Sequence, residues 1–237
     1  MRHLILVLVV LAAPLAAQTV TLQSVVVNGN QATVTYSKDF PTCAHLMLLN
    51  NTLVHANNWF CASGTNVAIT VPLTGFNSFF QLGTTVKLCH GNNYGVCSAP
   101  VTITVDPSLT GTPTTVSLAT GGVYSFAVNA SALGAGATYL IAGSITGTAP
   151  GFFAGPFFVA LNPDDWFNFT VQFPNTPPLS NTLGILDAAG GANAALVIPP
   201  GIPPSFVGLV VNHVVGVVTA GGTVVGISTP VALTFVP

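Results

Sequence analysis

The residues best suited to chemistry are four cysteines and the histidines beside them. Cys43 and His45 stand two apart in "CAH", Cys89 adjoins His90 in "LCHG", and His55 lies between; Cys61 and Cys97 complete the set. Cysteine and histidine ligands can build a tetrahedral zinc site, but ribbons and fingers use closely spaced C-x2–4-C pairs, which are missing here. Nor does Cys89-x7-Cys97 match the C-x-x-C of a dithiol oxidoreductase. Four cysteines in the first part of an exported chain read instead as two disulfides. Three pairings are open. We favour Cys43–Cys61 and Cys89–Cys97, because "TTVKLC" (84–89) runs into a polar loop and "CSAPVTITV" (97–105) runs out of it, which sets the second pair on facing strand ends. The chain-entropy relation gives about 3.2 and about 2.6 kcal/mol for the two links. The stapled loop "HGNNYG" (90–95) is then a hairpin tip, a place where ligand contacts often lie.

Other chemistry-bearing residues point to structure first. "NPDDWFNF" (162–169) sets Asp164 and Asp165 beside Trp166. Catalytic carboxylate pairs face each other across a cleft, and calcium needs six to eight oxygens, so a solvated turn entering a strand is the expected reading. Asp187 in "LDAAGG" suits a turn that bonds its own backbone. His213 lies in a valine-rich strand, as a core or edge histidine. Trp59, beside Cys61, is expected to pack on a disulfide; if exposed, it could stack with Tyr94 on a sugar face, and His90 would join them as a ligand contact. A metal site would require His45, His55 and His90 to converge. No G-x-S-x-G, H-E-x-x-H or phosphate-binding loop occurs, so no catalytic residue is assigned and no cofactor is expected. Three N-x-S/T triplets begin at Asn50, Asn129 and Asn168.

The composition removes further classes. Only 3% of residues are charged, half are hydrophobic, and no Glu occurs. With Lys38 and Lys87 the only lysines, there is no basic patch for phosphates and no polybasic segment for anionic lipid. The surface must be made of Thr, Ser, Asn, Gln and Gly.

The opening "MRHLILVLVVLAAPLAAQTV" has the layout of a secretory signal, with cleavage expected after Ala17. Beyond it, period-two alternation recurs in "QATVTYS" (31–37), "VTITV" (101–105), "WFNFTVQF" (166–173) and "VALTFVP" (231–237), which predicts half-buried strands. Asn28-Gly29 marks a hairpin. "VGLVVNHVVGVVTAGGTVVGI" (207–227) is long and apolar, but Asn212, His213 and the Gly221-Gly222 pair argue for two strands joined at 220–222 rather than a membrane span. "VDPSLTGTPTT" (105–115) reads as a boundary. The expectation is an all-β chain: a signal peptide (1–17), a disulfide-stapled sandwich (18–106) and a second sandwich (107–237), both antiparallel.

The stretches "GATYLIAGSITGTAPG" (136–151), "PNTPPLSNTLGILDAAG" (174–190) and "PPGIPPSFVGLVVNH" (199–213) resemble the C-terminal domain of uncharacterised exported bacterial surface proteins. "VVVNGNQATVTYSKDF" (25–40) and "VTITV" are similar to bacterial immunoglobulin- or fibronectin-like modules. The resemblance implies export and a β fold, and carries over no catalytic residues. The expected role is a secreted, non-catalytic structural or adhesive component of the cell surface. Carbohydrate binding is the alternative, and metal binding the second. Partners would be other copies or other surface proteins, with glycan as the alternative and nucleic acid excluded. With few lysines to guard sheet edges, the second sandwich is expected to self-associate.

Overall fold

The computed structural model describes residues 18–55, 59–90 and 95–237. The expected leader and Tyr94 lie outside them. The first strands are β1 (Val20–Asn28), β2 (Gln31–Lys38), β3 (His45–Leu48), β4 (Gly64–Pro72), β5 (Thr85–His90), β6 (Val96–Cys97) and β7 (Val101–Val105). They form one ladder in the order β3-β5-β7-β1-β2-β4, with β6 beside β5. The β1–β2 hairpin turns on Gly29, whose φ of 57° suits a residue without Cβ. Inward residues of β1, β2, β3, β5 and β7, among them Val25, Val34, Tyr36, Leu46, Leu88 and Ile103, share one core.

The later strands are β8 (Ser108–Thr112), β9 (Thr115–Ser117), β10 (Gly122–Asn129), β11 (Thr138–Ser144), β12 (Phe152–Ala154) and β13 (Phe157–Val159). A helix, α1 (Asp165–Gln172), follows. Then come β14 (Leu179–Ser180), β15 (Leu183–Ile185), β16 (Gly191–Ile198), β17 (Val210–Val218), β18 (Val224–Ile227) and β19 (Val231–Val236). Two sheets result: β14-β16-β10-β8, and β15-β11-β17-β19-β9 with β18 beside β17. Tyr124, Phe126 and Leu196 from the first meet Ile141, Val215 and Leu233 from the second in a shared core. The two cores touch: Leu82 packs on the later one and Leu133 on the earlier.

The fold is the all-β sandwich architecture expected, with two departures. Pairing is not wholly antiparallel. β1 runs parallel to β7, with Val25 opposite Ile103, and β9 runs parallel to β19. In each case strands far apart in sequence meet, so no tight hairpin constrains their direction. The second departure is 166–173, expected as a strand and found as α1. The alternation of Phe167, Phe169, Val171 and Phe173 is real, but Trp166, Phe169 and Phe173 also recur at helical spacing. The local cap decides between them. Asp164 Oδ1 accepts from Phe167 N at 2.8 Å, and Oδ2 accepts from Ser144 Oγ, Ile145 N, Thr146 N and Thr146 Oγ1 at 2.8–2.9 Å. Asp164 is therefore no solvated turn residue; it caps the helix and pins it to the end of β11. Thr170 Oγ1 accepts from Gly143 N on the same strand. A Cβ on Gly143 would stand 2.5 Å from Trp166 Nε1 and 2.9 Å from His213 Cδ2, so glycine is needed for the helix to lie this close.

The 207–227 stretch forms β17 and β18, joined by a turn at Thr219–Thr223. No described helix is long and apolar enough to cross a membrane.

One buried group, His213, and one partly exposed group, Asp164, shape the response to acid. Burial drives the His213 pKa down to about 3, so its ring stays neutral in the fold while the unfolded chain takes up a proton near pH 6.5. Stability from this group is lost as pH falls from about 6.5 towards about 3. Burial raises the Asp164 pKa, but hydrogen bonds from Phe167, Ser144 and Thr146 outweigh it and hold it near about 2. That contribution, about 1–2 kcal/mol after solvent screening, is present above about pH 4 and lost towards about pH 2. Denaturant unfolding from pH 7 to pH 2 should separate the two. His213→Leu should flatten the decline between pH 6 and pH 4. Asp164→Ala should be destabilised at pH 7 and lose the drop below pH 4. An unchanged acid profile in both variants would refute the assignment.

Candidate functional site

Among the described residues the four cysteines, His45, His55, Trp59 and His90 gather in the earlier strand group. The disulfides join Cys43 to Cys61 and Cys89 to Cys97. Cys89 and Cys97 face each other across β5 and β6, and His45 stands opposite Cys89 on β3. Lys38 ends β2, and its side chain reaches the backbone of Cys61 in the first disulfide. Only 4% of it is exposed, and its ammonium donates to the carbonyls of Phe40, Thr42 and Cys61 at 2.9, 2.6 and 2.8 Å. The same cation lies 4.7 Å from the Phe40 ring centroid. Burial holds the lysine below its ordinary pKa. The opposing effect is geometric: three fixed carbonyl acceptors match the three donors of an ammonium.

Phe40 in turn stacks on His90, with ring centroids 3.8 Å apart. His90 Nε2 lies 2.9 Å from Gln18 Oε1 and Nδ1 lies 3.1 Å from Thr42 Oγ1. Since the amide oxygen only accepts, Nε2 donates to it, while the threonine hydroxyl, which can donate or accept, pairs with Nδ1. This histidine closes the N-terminal segment onto the loop.

A second stack runs alongside. His45 and His55 lie 5.6 Å apart and nearly parallel, and His55 stacks on Trp59 at 5.9 Å. Burial, and secondarily the charge of His90, keeps the His45 pKa below its usual value. Trp59 meets Phe76 edge-on, and its ring lies against Gly75, where a Cβ would stand 1.8 Å from the indole. The indole packs on aromatic neighbours, and this packing occupies ring surface that a sugar would need. Among the described residues no three His, Cys, Asp or Glu side chains are grouped to hold a metal, and the sulfurs are oxidised. Asp187 Oδ1 accepts from Ala189 N and Gly191 N, closing its own turn.

One feature was almost without a sequence signal. A cavity of about 410 Å3 opens between the two later sheets, lined by Trp166, Leu196, Ile198, Ile202, Phe206 and Phe235 among others. Its walls come from α1, β16, β19 and the irregular segment 199–209, so no single stretch of sequence carries it. The only partial signal was "PPGIPPSF" (199–206), a proline-rich gap between two apolar strands. The β12–β13 hairpin also presents Phe153, 71% exposed, and Phe158 opposite it.

The fold and these clusters define an all-β sandwich protein with two disulfides, its polar clusters folded inward upon its own backbone. No protein-family model and no curated protein matches the chain. Among solved structures it is similar in outline to Dpr2 Ig1-Ig2 in complex with DIP-Theta Ig1-Ig3, at 12% identity and a TM-score of 0.30, over 92% of this chain and 64% of that one. It is also similar to the adhesin InvE of Yersinia pseudotuberculosis, at 11% identity and a TM-score of 0.27, over 92% and 58%. A glycosyl hydrolase family 2 member from Bacteroides cellulosilyticus matches at 11% identity and a TM-score of 0.28, over 89% and 23%. This chain spans less than two thirds of the length of each of these three, and likeness this distant says nothing of activity or partner.

Lys38→Met keeps the stem of the side chain but leaves three carbonyl acceptors without their donor. The cost should be about 2–4 kcal/mol, read as a lower denaturation midpoint with both disulfides intact. A change below about 0.5 kcal/mol would show that the lysine does not hold this region together.

Proposed function

We propose that this chain is an exported, non-catalytic β-sandwich protein that serves as a structural or adhesive component at the cell surface or in the extracellular matrix. One observation carries the reading: the four thiols, the Lys38 ammonium and the Asp164 carboxylate are all taken up within the protein itself. The thiols are oxidised, the Lys38 ammonium is enclosed by carbonyls, and Asp164 is enclosed by donors. Two disulfides fit an oxidising compartment, which supports export. What remains outside is a neutral surface of hydroxyls, amides and scattered apolar side chains, suited to contact rather than turnover. The carbohydrate alternative gains nothing from Trp59, given its packing.

Self-association belongs to this role. With a formal net charge of −2 over 237 residues, copies repel one another little. The contacts should be nearly insensitive to salt between low and physiological ionic strength. Fractionation of the native source tests the reading: the protein should appear in the envelope, the matrix or assembled material, with no free thiol before reduction. Recovery from the cytosol with reduced cysteines would overturn it.

We also propose that the chain comprises two domains meeting at Asp106–Pro107, an immunoglobulin- or fibronectin-like module followed by the second sandwich. The separate cores and the confinement of all cysteines to the first part support this. A protease able to cut uncharged sequence should release two resistant fragments by cleaving near the Asp106–Pro107 junction, ahead of β8. One resistant core spanning those residues would make it a single domain.

A further inference from the structure

We propose that two copies of this chain pair antiparallel along the free edge of β4, joining their sheets into one. This deepens the self-association proposed above, rests on it, and moves it from the second sandwich to the first.

The inference comes from comparing the sheet edges. β14 has two residues, and β9 and β15 have three each. β15 is also closed by a side chain: Asn175 Oδ1 accepts from Leu183 N, and Asn175 Nδ2 donates to Leu183 O, so both backbone groups of that edge residue are taken. β3 is covered by bridges from Met47 to Leu53 and from Ala44 to Phe60. β8 has five residues. β4 differs from all of these. It has nine residues, stands at the end of its ladder and, among the described residues, pairs only with β2. None of its residues is charged. The devices that blunt natural edges are charge, proline and bulges. Here a bulge at Asn66, with φ 54°, limits the near end, and Pro72 limits the far end. Between them Val67–Val71 is regular, and its outward backbone groups can take another strand.

The sequence of that run says which strand. Read about a two-fold axis at Ile69, "VAITV" pairs with itself: Val67 opposite Val71, Ala68 opposite Thr70, Ile69 opposite Ile69. Val67 and Ile69 are only partly covered by the core, whereas Ala68 and Thr70 are exposed on the outer face. A second copy would cover the first pair and set small neutral side chains opposite each other on the outside. No like charge opposes the approach. The two-fold arrangement is also the commonest closed symmetry, with each copy supplying the same surface.

Sedimentation of the full chain across a range of concentrations tests this. The wild type should dimerise. Ala68→Lys with Thr70→Lys places like charges opposite each other across the axis and should weaken the dimer by about tenfold or more. Ala68→Glu with Thr70→Glu should do the same. An equimolar mixture of the two charged forms should restore association, and an unchanged circular dichroism spectrum confirms their fold. In the wild type, amides within 67–71 should gain exchange protection as concentration rises, a readout that needs no variant. A dimer undiminished by the charges, or no gain of protection in 67–71, would overturn the β4 assignment while leaving self-association standing. A wild-type monomer at every concentration would overturn the self-association itself.

Discussion

A folded chain with almost no charged side chains must satisfy its backbone with neutral partners, and its few ions become anchors. Lys38 shows the constraint at its sharpest. Its ammonium binds the carbonyls of Phe40, Thr42 and Cys61, so one cation fixes the end of β2, the loop after it and the turn at Cys61 that leads into β4. A disulfide alone would tether Cys43 to Cys61 and leave these three carbonyls without the ammonium. Asp164 is the complementary case, an anion that collects donors from β11, from the residues that follow it and from the first turn of α1. In a chain with ordinary charge content, such sites compete with surface ion pairs for the same residue types. Here the hydrogen bonds of both ions go to backbone and hydroxyl groups.

Much of the architecture was legible because alternation is local. Gln31–Lys38, Val101–Val105 and Val231–Val236 read as strands and are strands, since their apolar residues fall on every second position and fit no helical spacing as well. The apolar 207–227 stretch resolved correctly because Asn212 and the glycine pair are poor company for lipid. Residues 166–173 misled because Phe-x-Phe-x-Val-x-Phe satisfies two periods at once, and the deciding partners, Ser144 and Thr146, lie some twenty positions upstream. The same limit hid the cavity beside Trp166 and the stacking of His45 on His55 and Trp59. Convergence of residues from separate strands leaves no trace in the spacing of any one of them.

The edges show how a neutral chain manages what lysine usually does. Asn175 closes β15 with the two ends of one amide, using a left-handed backbone (φ 61°) to aim it. That solution needs a loop passing alongside the strand, as the turn after α1 does here. β4 has no such neighbour among the described residues.

The parallel pairing of β1 with β7 has a mechanical consequence. The chain enters the first strand group at Val20 and leaves it at Val105, and those two ends lie at opposite ends of a parallel pair. A pull along the chain therefore slides the two strands past each other. The bonds between Val25–Val27 and Ile103–Val105 share the load instead of opening one after another from an end. A protein strung between a cell and its surroundings would meet force in the direction in which this strand pair yields least.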